Sequence, residues 1–298
     1  MRPIILDTDP GIDDAVALVV LHHYAADAVK LIVSGYGNVK REHTVDNALT
    51  MCSLLNWKVP VLPASETTCS GEYEPAPHIH GANGFAGLTV PHDGYEPLAS
   101  DDWLETLYRT IIEEDSVDYI TLGALTNLAL LLRRYPDVKA HIGRIVTMGG
   151  GIGKGNTRPF AEFNIFCDPE SADFLMKTAD NLTLVPLNTT ETVAFNKEQI
   201  AEIGRYDTPL SRILEKILNA CYESCTRYGE LGATMHDSTA VLAYLFPELF
   251  STERCGITVN TKEFPGRTTV DPTRNNITLT KETNAALLLE KITACIAP

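Results

Sequence analysis

Positive charge is scarce in this chain: 24 Lys and Arg stand against 39 Asp and Glu, a formal charge of −15 over 298 residues. A surface of that sign repels polyanions, which excludes non-specific attraction to nucleic acid or to an anionic membrane. Long apolar runs are missing as well. No uninterrupted stretch is long enough to cross a bilayer, and Asp7 and Asp9 break the first apolar segment before a secretory signal could form. A cytoplasmic protein with a small-molecule partner is expected. Cysteine pairing is the third absence, since the seven cysteines are an odd number without a CxxC, which argues against a disulfide framework or a zinc ribbon. Cys221 and Cys225 share a helical face but have no His or Cys partner nearby, and they read as core. No dinucleotide fingerprint occurs either. The nearest approach, GGGIGKG from Gly149 to Gly155, has the wrong spacing and lacks the Lys-Ser/Thr ending of a phosphate loop. Low-complexity segments, internal repeats and linkers are absent, and 44% hydrophobic content over this length suffices for one large α/β core.

What the chain has in abundance is carboxylate at its start. Ile4-Ile5-Leu6 runs straight into DTDPGIDD, so Asp7, Asp9, Asp13 and Asp14 fall on the turn between a buried strand and the helix AVALVVLHHY. Unpaired, such a group repels itself and raises its own pKa values; a hard divalent cation with oxygen ligands relieves both costs. Helix capping accounts for one of these acids or two, not four. A calcium-sensor loop is excluded, because the twelfth position counted from Asp7 is Leu18 where a bidentate Glu is required. Further along, strand patterns at 29 to 37, VPVLPA, SVDYITLG and RIVTMGG alternate with helical patterns at EHTVDNALTMCSLLN, TNLALLLRRY and PESADFLMKTA. That succession predicts a mostly parallel sheet with right-handed crossovers, and ligands of such sheets bind beyond the carboxyl ends of the strands. Residues 64 to 100 carry no period and are rich in Pro, Gly, His and Glu, the composition of a functional loop.

Three more clusters stand out. Asn156, Glu162 and Asn164 follow a strand end and a glycine-rich turn, a donor and acceptor set suited to sugar hydroxyls. His236-Asp237 opens the helical run STAVLAYLF, where it is either a helix cap or a further carboxylate and a proton donor for the site. His80-Gly81 lies in the long loop.

Taken together and in order, DTDPGIDDAVAL, Gly37-Asn38, HGANG from His80, GALTN from Gly123, MGG from Met148, the spaced Asn156, Glu162 and Asn164, and His236-Asp237 resemble the inosine-uridine preferring nucleoside hydrolases. The resemblance spans nearly the whole chain. Ala124 departs from it, where the family usually has Pro or Gly, and affects loop stiffness. It implies an α/β fold of one domain over residues 1–298, an open, mostly parallel, Rossmann-like sheet flanked by helices. It also implies Ca2+, held by the side chains of Asp9, Asp14 and Asp237 and the backbone carbonyl of Leu122, with Asp7 at the edge of the same acidic network. Asp13, Asn38 and Asn164 would serve the ribose 2′- and 3′-hydroxyls, Asn156 and Glu162 the 5′-hydroxyl, and Met148 the face of the sugar. His236, His80 and Tyr228 would lie near the base. The implied reaction is hydrolysis of a ribonucleoside to base and ribose, with a calcium-held water deprotonated by Asp9 and the leaving base assisted by His236. Tyr228 leans the choice toward uridine and cytidine, and a homodimer or homotetramer is expected. Two rivals share parts of the pattern: a DxD-type phosphatase using Asp7 and Asp9, and a riboside-binding protein without turnover.

Overall fold

A computed structural model describes residues 1–71 and 73–298. The strands are β1 (Ile4–Thr8), β2 (Val29–Ser34), β3 (Val61–Pro63), β4 (Val117–Thr121), β5 (Ile142–Met148), β6 (Leu182–Val185), β7 (Ala194–Phe195), β8 (Ala233–Thr234), β9 (Phe250–Val259), β10 (Thr268–Asp271) and β11 (Ile277–Thr283). The helices are α1 (Ile12–Ala25), α2 (Arg41–Leu54), α3 (Pro77–His80), α4 (Trp103–Glu113), α5 (Thr126–Arg134), α6 (Phe163–Cys167), α7 (Pro169–Thr178), α8 (Leu187–Thr190), α9 (Lys197–Gly204), α10 (Pro209–Arg227), α11 (His236–Leu245) and α12 (Ala285–Ile296). Nine strands form one sheet in the order β10-β9-β11-β6-β5-β4-β1-β2-β3, and β7 pairs β8 apart from it. From β3 across to β11 every pairing is parallel; β9 and then β10 are added antiparallel at the far edge.

The apolar pattern explains the layers. Strand β1 is buried throughout, and its side chains alternate: Ile4 and Leu6 join the core under α1, α2, α10, α11 and α12, while Ile5 joins the core under α4, α5 and α7. Helix α1 is apolar almost all round, so it sits inside the protein rather than on it, buried from Ile12 to Leu21. Each Leu, Ile or Val so buried contributes about 1.5–3 kcal/mol, which fixes the start of α1 firmly against the sheet. Among the described residues of the long segment at 64 to 100, only α3 is helical. No helix among the described residues is long and apolar enough to span a membrane.

The strand order reverses at β1: β2 and β3 lie to one side, β4, β5 and β6 to the other. A crevice opens at such a point, beyond the strands' carboxyl ends, and the acidic turn after β1 lies there.

Candidate active site

Each strand near the reversal delivers one group. Asp9 follows β1, Asn38 follows β2, Leu122 follows β4, and Met148 ends β5. Asp9 is buried; its Oδ2 accepts the Asn38 backbone N–H at 2.7 Å, while its Oδ1 has no partner among the described residues. A side chain at Gly37 or Gly123 would overlap the Asp9 carboxylate. Glycine is needed at both places because the backbone passes against the acid, and at Gly37 also because its positive φ is one that side chains rarely adopt. Gly123→Ala is expected to push Asp9 aside and lower kcat by about 10²-fold, the loss that a 1 Å misplacement brings; an unchanged kcat would show that Asp9 tolerates displacement.

Asp14 is held from three directions: Thr8 Oγ1 donates to Oδ1 at 2.5 Å, and Gly11 N–H and Asn38 Nδ2 donate to Oδ2 at 2.9 and 3.0 Å. Carboxylate oxygens of Asp13, Asp14 and Asp237 come within 4.8 Å of one another. Burial, then the charge of Asp14, pushes Asp9 well up; the same two causes push Asp13 up to about 7. Asp237 rises by burial and then by the charges of Asp13, Asp14 and Asp9. The N-termini of α1 and α11 both meet this cluster, and their dipoles offset part of the repulsion. The offset leaves Asp9 Oδ1 unpaired. A donor set made wholly of carboxylate and carbonyl oxygen, with one oxygen buried and free, suits a hard divalent cation.

The opposite wall is amide and carboxylate. Glu162 caps α6, its two oxygens accepting from Asn164 N–H at 2.9 Å, Gly150 N–H at 2.9 Å and Ile165 N–H at 3.1 Å. Burial nevertheless raises its pKa, those backbone bonds working against the rise. Asn164 Nδ2 donates to the Leu122 carbonyl at 2.6 Å and lies 3.3 Å from Met148 Sδ, and Asn156 Oδ1 accepts from Phe163 N–H at 2.9 Å. These residues line one cleft together with Asp13, Asn38, Asp237, His80, His236 and Tyr228.

The cleft histidines His80 and His236 are half-buried. His80 Nδ1 accepts from Ile12 N–H at 3.2 Å, so the ring caps α1 and must carry its proton on Nε2. Burial first, then His236 and His78, holds its pKa down at about 3. His236 Nδ1 lies 2.7 Å from Thr190 Oγ1, and burial lowers its pKa too. Tyr228 is 61% exposed at the end of α10, its ring edge-on to His78 at 6.1 Å.

Asp7 adds its charge to the rise in Asp9's pKa, but both its oxygens are turned to the fold: Tyr119 Oη and Asn127 Nδ2 each donate to it at 2.8 Å, which ties β1 to β4 and α5. With both oxygens committed to Tyr119 and Asn127, Asp7 is not set up as a phosphatase nucleophile. Cys221 and Cys225 are buried as core residues are, yet the same face of α10 opens on the cleft. Sequence reasoning also missed His78, Thr157, Phe163, Glu230 and Thr234 on the cleft wall. His78 was open to discovery, two residues before His80; the others carry no signal in spacing.

A Rossmann-like sheet with an acid cluster at its reversal point, facing an amide-and-carboxylate wall, defines the nucleoside hydrolase class. The chain belongs to the inosine-uridine preferring nucleoside hydrolases, whose family model matches residues 4–294. It is 36% identical over 294 residues to the pyrimidine-specific ribonucleoside hydrolase RihA of Shewanella sp. strain MR-7, covering 96% of this chain and 91% of that one. To RihA of Salmonella paratyphi A it is 35% identical over 275 residues, covering 90% and 88%. The purine-preferring ribonucleoside hydrolase from Gardnerella vaginalis has the same fold, with a TM-score of 0.92, 24% identity and coverage of 99% and 98%. The plant nucleoside hydrolase PpNRh1 also superimposes at 0.92, with 23% identity and 99% of both chains covered.

Proposed function

We propose that this nucleoside hydrolase is calcium-dependent and prefers pyrimidine ribosides, cleaving their N-glycosidic bond to give free base and ribose. The observation that carries the reading is the buried, unpartnered Asp9 Oδ1 beside the cluster of Asp13, Asp14 and Asp237. Asp9, Asp14, Asp237 and the Leu122 carbonyl would hold the ion. When bound, calcium supplies positive charge that orients water and the sugar diol.

The remaining work falls to the chain itself. Water oxygen bonds to C1′ of the ribose, its proton passes to Asp9, and the C1′–N bond breaks with its electron pair on the base. Positive charge grows on the sugar as it does so, and carboxylates and amides around it lower the barrier where an arginine would raise it. Asp13, Asn38 and Asn164 take the 2′- and 3′-hydroxyls, Asn156 and Glu162 the 5′-hydroxyl, and Met148 packs on the ring. His236, with Thr190 on its Nδ1, directs Nε2 toward the departing base and supplies its proton. His80, held in the Nε2–H form by Ile12, donates a hydrogen bond beside it. Tyr228 at the cleft mouth stacks on the base. The lean to uridine and cytidine is supported by the pyrimidine-specific relatives.

The test is a reducing-sugar assay on uridine, cytidine, inosine and adenosine with calcium present. Ribose release fastest from the pyrimidines is expected; purine-first release overturns the preference. Saturable binding without release would make the protein a riboside binder. His236→Ala is expected to slow uridine by about 10²–10⁴-fold and p-nitrophenyl riboside far less, because that leaving group needs no proton. Equal losses on both substrates would remove His236 from the leaving-group role.

A further inference from the structure

The wall of the cleft carries one pair of groups that the proposed chemistry leaves unused. Cys221 and Cys225 stand one turn apart on α10, both free and buried, with Sγ atoms 3.6 Å apart. Both line the cleft, beside His78, Tyr228 and Glu230. We propose that this pair is a second metal site, a dithiolate clamp for one soft divalent cation such as zinc or cadmium.

Spacing and chemistry both favour a cation over the other use of two neighbouring thiols. Two sulfurs at about 2.3 Å from one tetrahedral zinc lie roughly 3.8 Å from each other, so the pair is already set at the edge of such a site. A disulfide needs Cβ atoms about 3.5–4.5 Å apart, whereas one-turn neighbours on a helix keep them about 5–6 Å apart; α10 would have to break. Thiolates select soft ions, while the acid cluster across the cleft is all oxygen and selects hard ones. The two sites therefore divide the cations between them. Binding is balanced by proton release: two thiols and M2+ give M(SR)2 and two protons, which leave to solvent. The charge of the two thiolates cancels that of the ion, so the buried clamp adds no net charge. An ion held there opens its remaining positions into the cleft and occupies space where substrate must lie. Soft cations are thus inhibitors, a consequence that rests on the proposed hydrolase reading.

Full-length protein loaded with excess calcium is titrated with cadmium, reading thiolate-to-cadmium charge-transfer absorbance and uridine hydrolysis in parallel. Wild type and Cys69→Ser are expected to bind one cadmium per chain with thiolate absorbance and to lose activity as it binds. Cys221→Ser and Cys225→Ser, or the alanine variants where serine does not fold, are expected to lose the absorbance and to keep their own cadmium-free rates. No thiolate absorbance in wild type, or absorbance that persists in Cys225→Ser, overturns the site. Equal inhibition of wild type and Cys225→Ser would place the inhibition at the acid cluster and overturn the clamp's effect on turnover. The absorbance needs no activity, so a failure of the hydrolase reading would be told apart from a failure of the clamp.

Discussion

Asp9→Asn loses uridine hydrolysis by about 10²–10⁴-fold in kcat, the contribution of a positioned general base, and Asp9→Ala loses at least as much. The asparagine variant is the sharper of the two because its amide oxygen still accepts the Asn38 N–H that Asp9 now accepts at 2.7 Å. Volume and backbone anchoring survive, and only the basic oxygen at Oδ1 is lost. Removing this charge also relieves the metal-free protein, since burial, then the charges of Asp14, Asp13 and Asp7, raise the pKa of Asp9. Its melting temperature in chelator is therefore expected to rise above wild type while activity falls. A function-for-stability exchange of this kind separates a catalytic acid from a structural one, whose loss would lower both. A variant that keeps more than a tenth of the wild-type kcat would remove Asp9 from the base role.

Chelation gives the second large effect. Exhaustive removal of divalent ions is expected to abolish turnover, with calcium restoring it better than zinc; full activity in chelator would end the metal proposal. The pH dependence of stability should follow from the same cluster. Asp7 and Asp13 are raised from 3.8 to about 7 in the fold, burial being the main cause in each. A carboxyl whose folded pKa is raised holds its proton more tightly in the native state, so its stabilising effect is present in acid and lost as pH climbs toward and through about 7. His80, held near 3 by burial, works the other way, but only below the ordinary histidine value of 6.5. The metal-free protein should accordingly melt lower at pH 8 than at pH 6.5. Calcium needs the acids ionised, so the rise in melting temperature it produces should be larger at pH 8. The reverse order of the two calcium-induced rises would sink this account.

How much of this was legible in the sequence depends on how local each signal is. The strand–turn–helix at residues 4 to 25 was readable because an apolar run, a Pro-Gly turn and a second apolar run follow one another directly. The parallel order through β5 followed from alternation. The short β6, the strands from Phe250 onward and the antiparallel addition of β9 and β10 did not, because Thr-rich edge segments carry weak periodicity. In the site, the acids were legible as a group and their division of labour was not. Asp7 and Asp9 are two residues apart on one strand end, yet one is tied to Tyr119 and Asn127 and the other faces the cluster. Only tertiary partners more than a hundred residues away make that difference. His80 likewise reads as a loop histidine until the N–H of Ile12 is found against it.

The central place of β1 carries a consequence for synthesis. It precedes every other strand in the chain, yet it lies between β2 and β4, and its Asp7 is satisfied by Tyr119 and Asn127. As the chain leaves the ribosome, β2 arrives soon after, but the stretch from Thr8 to Val117 takes on the order of 10 s to make. Through that interval the nascent chain presents an apolar strand with one open edge and an unsatisfied acid. Synthesis rate across this stretch and the availability of a holding chaperone therefore set how much of the protein reaches the folded state, independently of how stable that state is.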